Sequence, residues 1–99
     1  MTTKTSGKKL EIGRLLATAG VMAKCEAEPT FAAFVSESFR RHAAGDWGEL
    51  SQDDKDANDV ALADNDGRVF SAYTGGPEKI WLITEADRSL TTILFPDEY

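Results

Sequence analysis

Lys79-Ile80-Trp81-Leu82-Ile83-Thr84-Glu85-Ala86-Asp87-Arg88-Ser89-Leu90-Thr91-Thr92-Ile93-Leu94-Phe95-Pro96-Asp97-Glu98-Tyr99 is the stretch that decides the fold class. It reads as two apolar strands joined by a tight polar turn. Aromatic and β-branched residues dominate both runs, and such side chains suit a pleated, half-buried surface. Trp81, Ile83, Ile93, Leu94 and Phe95 are the expected sheet core. The turn carries Glu85, Asp87 and Arg88, which include no nucleophile.

Just upstream, Arg68-Val69-Phe70-Ser71-Ala72-Tyr73 forms a further strand, and Gly75-Gly76-Pro77 is its loop. Three strands with short links predict an antiparallel meander. The near-continuous apolarity of Ile80 to Ile83 marks the central strand. Leu10 to Thr18 is ambiguous between a strand and a helix start. Gly13 and Gly20 bracket it and favour a strand, because glycine is costly in helices.

Helices fill the middle of the chain. Val21 to Glu28 is a short one that stops at Pro29. Thr30 to Ala44 is clearer, because Phe31, Phe34, Val35, Ser38, Phe39 and His42 recur at three- and four-residue spacing. Glu37 is placed to pair with Arg41, and Gly45 suits the position after the helix end. Trp47 is expected to anchor between two helices. Ser51-Gln52-Asp53-Asp54 has the form of a capping box that opens a third helix. Ala57, Val60 and Ala61, with Leu50, give that helix a thin apolar face, and Leu62 points away from it. The reading is therefore α+β: a three- to four-stranded antiparallel sheet, its C-terminal meander included, with two or three helices packed on one face. Residues 10–99 form one domain, and residues 1–9 are a flexible basic tail.

The chain has 99 residues, a net charge of -6, 41% apolar and 28% charged residues. No apolar run approaches the ~20 residues that cross a bilayer. No apolar run follows the basic start, so no secretory signal is read. Cys25 is the one cysteine, so no intrachain disulfide forms, and a cytoplasmic location is expected. The negative charge argues against direct binding to nucleic acid or to an anionic membrane. It is also concentrated. Asp46, Glu49, Asp53, Asp54, Asp56, Asp59, Asp64 and Asp66 are opposed between them by Lys55 alone.

Few residues suggest catalysis. Asp64-Asn65-Asp66-Gly67 opens like a calcium loop, but Gly75 stands where the bidentate acid is needed, so turn chemistry explains it. His42 and Cys25 are too few for zinc, and nothing brings them together as a nucleophile pair. His42 is expected as a partly buried, hydrogen-bonded residue. Gly75-Gly76 lacks the Lys-Ser/Thr of a phosphate loop. Glu85, Asp87 and Arg88 could sit on one rim beside Trp81, as a small enzyme or nucleotide-binding protein would need; charge pairing of Arg88 with Glu85 or Asp87 is the plainer reading. No catalytic residue, metal or cofactor is assigned.

Asp46-Trp47-Gly48-Glu49-Leu50, Asp54, Asn58 and the Leu62-to-Asp66 turn, with Lys79 to Ser89 and Thr91 to Tyr99, resemble a family of small bacterial proteins. These occur on plasmids, prophages and other mobile elements. The resemblance covers about the last two-thirds of the chain. Some relatives carry a type I restriction subunit label, which this chain does not fit, because a DNA methyltransferase needs a far larger fold and a cofactor pocket. The resemblance supplies no catalytic residues. Mobile-element residence implies an antagonist of host defence, such as an anti-CRISPR or anti-restriction protein.

Together these features predict a non-enzymatic binding protein. Asp46, Glu49, Asp53, Asp56, Asp59, Asp64 and Asp66 would present an acidic surface to the basic groove of a nucleic-acid-targeting protein complex, as a mimic of DNA's charge. DNA carries one negative charge per ~1.7 Å of axis, so regularly spaced carboxylates can compete for its groove. A dimeric regulatory or plasmid-maintenance module, joined through an exposed sheet edge, is a further reading.

Overall fold

The C-terminal meander forms as its alternation dictates. Strand β2 (Val69–Gly75) pairs antiparallel with β3 (Glu78–Thr84) through a two-residue turn, Gly76-Pro77, in which Gly76 takes a φ of +61°. Strand β3 pairs antiparallel with β4 (Leu90–Leu94) and lies inside the sheet, as the apolarity of Ile80 to Ile83 predicts. The computed structural model describes residues 10–99, so the expected basic tail at residues 1–9 lies outside the described residues.

A fourth strand, β1 (Arg14–Ala17), completes the sheet in the order β1-β4-β3-β2. It runs parallel to β4, so the sheet is mixed rather than wholly antiparallel. The strand is also shorter than the span from Leu10 to Thr18. Gly13 has a φ of +67°, and a Cβ there would lie 2.4 Å from the carbonyl oxygens of Arg88 and Ser89. The chain therefore bends at Gly13 and becomes strand only after it.

Three helices cover one face: α1 (Ala19–Ala27), α2 (Pro29–Ala43) and α3 (Gln52–Asp64). Each starts and stops for a local reason. Thr18 caps α1 by accepting from the Val21 amide, Pro29 opens α2, and Ser51 caps α3 by accepting from the Asp54 amide. The reciprocal bond from Asp54 does not form, so the capping box is half made. Gly45, with φ +85°, follows the end of α2 as expected.

The covered face of the sheet packs Tyr73, Ile80, Leu82 and Ile93 against Val21 and Phe31. Removing each large apolar side chain from water contributes about 1.5–3 kcal/mol. Phe34, Val35 and Phe39 on the predicted α2 stripe lie half-buried against this cluster. A second cluster joins Leu10, Trp47, Ala61 and Val69, with Ile12, Leu50 and Leu62 packed on it. Trp47 fills the gap between α2 and α3, its ring edge-on to His42 at 5.8 Å.

Helix α3 is rotated from its expected orientation. Ala61 is buried and Leu50 packs inward as expected, but Val60 is 60% exposed and Ala57 is exposed, whereas Asn58 is buried and Leu62 packs inward. The reason is polar. The Asn58 side chain donates to the Phe70 carbonyl at 2.6 Å and accepts from the Phe70 amide at 3.2 Å. One amide thus replaces a neighbouring strand at the open edge of β2, and the helix turns to place it there.

Most of the rest of that edge is closed too. The Ala72 amide donates to Trp47, the Glu49 amide donates to Ala72, and the Glu49 carboxylate accepts from the amide and hydroxyl of Thr74. Among the described residues, the β1 edge has no such cover. Arg14 and Thr18 donate toward β4, which turns the backbones of Leu15 and Ala17 outward. Leu15 is 46% and Leu16 40% exposed.

Candidate functional site

The acidic block divides into carboxylates that hold the fold and carboxylates that face solvent. Asp46 accepts two hydrogen bonds from the Arg41 guanidinium, at 2.7 and 3.2 Å, and Arg41 holds its carboxyl below the usual range. This takes Arg41 from the expected pairing with Glu37, which binds Arg40 instead. Glu49 is committed to Thr74. Asp59 accepts from the Trp47 indole at 2.8 Å and fixes that anchor to α3. Asp46, Glu49 and Asp59 are therefore structural first.

Three of the remainder share one face. Asp53, Asp56 and Asp64 recur along the solvent side of α3, around the exposed Val60. Asp56 accepts from the neighbouring Gln52 amide at 2.8 Å and keeps its charge outward. Asp66 lies exposed in the turn after Asn65, whose φ of +54° ends the helix. Among the described residues, no Lys or Arg forms an ion pair with Asp53, Asp54, Asp56, Asp64 or Asp66. Asp64 sits at the negative end of the helix dipole, an unfavourable place for an acid.

The turn between β3 and β4 does not assemble the set suggested by Glu85, Asp87 and Arg88. Arg88 is buried, at 7% exposure, and bonds neither carboxylate. It donates to the carbonyl oxygens of Gly67 at 2.7 Å, Ala61 at 3.0 Å and Glu85 at 3.3 Å. Its charge is thereby matched to the negative end of α3. Asp87 accepts from the Ser89 amide, and Glu85 lies 3.7 Å from Arg68. The three groups point to three different tasks, so they do not build an acid–base site.

His42 is more deeply placed than its sequence position suggests, being wholly buried. A chain of side chains crosses the covered face of the sheet. Ser71 meets His42 Nδ1, His42 Nε2 lies 2.8 Å from Thr84, Thr84 lies 2.6 Å from Thr91, and Thr91 donates to the Ile12 carbonyl. Direction follows from donor counting. Thr91 spends its proton on Ile12, so Thr84 donates to Thr91. His42 must then donate from Nε2 and accept from Ser71 at Nδ1. Burial pushes the His42 pKa down to about 4. Both ring nitrogens are occupied and neither faces a cleft. Cys25 is half-buried against the main core, and burial pushes its thiol up, away from the thiolate that a nucleophile needs.

The uncovered sheet face carries a hollow that alternation could have revealed. Phe70 and Trp81 point outward from adjacent strands with ring centroids 5.0 Å apart, and Tyr99 meets Trp81 at 5.7 Å. With Arg68 and Ile83 they line about 320 Å³. The hollow holds no nucleophile. Among the described residues, no three His, Cys, Asp or Glu side chains converge as metal ligands, and no helix is long and apolar enough to cross a membrane.

Comparison with protein-family models, with curated proteins and with solved structures finds no match. Sequence reading missed Asn58, Arg88 and Glu49 as fold-holding groups. Their signal was a polar or charged residue beside an apolar run, which looks the same whether it faces water or a buried backbone group.

Proposed function

We propose that this chain is a non-enzymatic binding protein that docks the solvent face of α3 in the basic groove of a nucleic-acid-handling complex and blocks it. The observation that carries this reading is the set of outward carboxylates of Asp53, Asp56 and Asp64, none ion-paired among the described residues. Three anchors make their support rigid: Asn58 on Phe70, Trp47 on Asp59 and Arg88 on Ala61. A preorganised charge array loses little entropy on docking and steers a basic partner over a distance set by salt. Asp66 follows the array in the next turn, and Asp59 fixes α3 to Trp47, while Asp46 and Glu49 are spent on Arg41 and Thr74.

The resemblance to mobile-element proteins points to a partner in host defence, such as a CRISPR or restriction complex. The scattered tasks of Glu85, Asp87 and Arg88 give no support to an enzyme. The test is affinity capture from the bacterial host, with bound proteins identified and then challenged with duplex DNA. The expected result is a nucleic-acid-handling complex that DNA displaces. The variant Asp53→Asn/Asp56→Asn/Asp64→Asn should fail to capture it. Undiminished capture by that variant would remove α3 from the mechanism.

A further inference from the structure

We infer that β1 is a self-association edge, pairing antiparallel with β1 of a second copy to make one continuous eight-stranded sheet. The inference is independent of the role proposed for α3. It starts from the contrast between the two edges. Along β2 the outward amides of Phe70, Ala72 and Thr74 all have partners, as do the carbonyls of Phe70 and Ala72: Phe70 in Asn58, Ala72 in the Trp47–Glu49 segment, and the Thr74 amide in the Glu49 carboxylate. On β1 the ladder to β4 uses Arg14, Leu16 and Thr18, and the outward amides and carbonyls of Leu15 and Ala17 have no backbone partner among the described residues. Of the usual protections of an edge, the strand has only its four-residue length and the charge of Arg14. It holds no proline and no inward charge, and its two central residues are leucines.

The chemistry of the edge selects the occupant. A row of free donors and acceptors is satisfied by another extended strand, and β1 is complementary to itself. A two-fold axis at Leu16 sets Leu15 opposite Ala17 of the second copy, so that all four unpaired groups on each strand are used. Leu16 then meets its equivalent on the outer face, and Arg14 meets Thr18 rather than another arginine. A shift that set Arg14 against Arg14 would oppose like charges, which disfavours that register.

Charge placement favours the same arrangement. The net charge of -6 resists association in general. Strand order puts β2 and the acidic α3 at the far side of the sheet from β1. Joining β1 to β1 therefore keeps the two acidic helices at opposite ends of the assembly. The exposed Leu15 and Leu16 are removed from water at the joint.

Sedimentation of the full chain over a range of concentrations tests this, together with amide hydrogen exchange. The expected result is a mass that doubles with rising concentration, while exchange at Leu15 and Ala17 slows about tenfold or more. Leu16→Lys places two cations on the axis and should hold the protein at the monomer mass, with a thermal melt that matches the wild type at dilutions where both are monomers and falls below it where the wild type is a dimer. A single monomer mass up to millimolar concentration would overturn the inference. So would a doubled mass with unslowed exchange at Leu15 and Ala17, or one that Leu16→Lys leaves intact.

Discussion

Arg88 Nη2 donates to the carbonyl oxygen of Ala61 at 3.0 Å, in a buried site where no carboxylate reaches the guanidinium. The same side chain also holds the Gly67 carbonyl. One charged residue thus ties the β3–β4 turn to the last turn of α3 and to the turn after it. It does so from a left-handed backbone, φ +61°, which the fold tolerates because the side chain is so well satisfied. Arg88→Ala leaves the Gly67 carbonyl without a donor, whereas the Ala61 carbonyl keeps the Asp66 amide at 3.0 Å, and it should cost about 2 kcal/mol. Arg88→Lys should recover only part, since an ammonium lacks the planar fork. Urea unfolding of both variants measures this.

The histidine seam predicts a pH dependence. An unfolded histidine titrates near 6.5, and in the fold His42 titrates at about 4. Between those values the unfolded chain binds more protons, so stability falls as the pH drops through this window. The full loss is about 3 kcal/mol by pH 4. Urea midpoints from neutral pH downward should show it. His42→Gln should flatten the slope between pH 6.5 and 4.5, where few carboxylates titrate.

Asn58 replaces a strand, so its removal should both destabilise and expose. Asn58→Ala strips partners from the amide and carbonyl of Phe70, at about 2 kcal/mol. It also frees the centre of the β2 edge for pairing with other chains. A lower melting temperature together with increased light scattering on heating is the expected pair of readings. Asn58→Leu should behave the same way, because added apolar bulk supplies neither bond.

The outward acids should be separable from stability. Asp53→Asn/Asp56→Asn/Asp64→Asn touches no buried partner and should change unfolding free energy by about 0.5 kcal/mol or less. Within that set, Asp64→Asn alone should stabilise slightly, because it removes a negative charge from the negative end of a helix. Asp59→Ala should behave differently and cost about 1 kcal/mol, since it leaves the buried Trp47 indole without its acceptor. Chemical denaturation of the three variants distinguishes these outcomes.

Much of the architecture was legible because it follows periodicity. The meander of β2, β3 and β4 shows in alternating apolar residues, and α2 shows in the spacing from Phe31 to His42. Ser51, Pro29 and Gly45 mark helix boundaries through local chemistry that needs no tertiary context. The parallel placement of β1 was not legible, since a four-residue strand carries no record of which neighbour it will join. Nor was the rotation of α3. Counting apolar residues put Ala57, Val60 and Ala61 on the buried face; Ala61 is buried, but the two bonds from Asn58 to Phe70 outweigh one valine and one alanine. In the acidic block, composition counted Asp46, Glu49 and Asp59 as equals of Asp53. Only their distances to Arg41, Thr74 and Trp47 reveal that they work inside the fold.

Capture of the partner complex at increasing salt, by the wild-type chain and by Asp53→Asn/Asp56→Asn/Asp64→Asn in parallel, bears most directly on the role of α3. The account predicts wild-type capture that weakens steadily as salt rises, and no capture by the variant at any salt. Equal capture by the two proteins, with the same salt dependence, would contradict it.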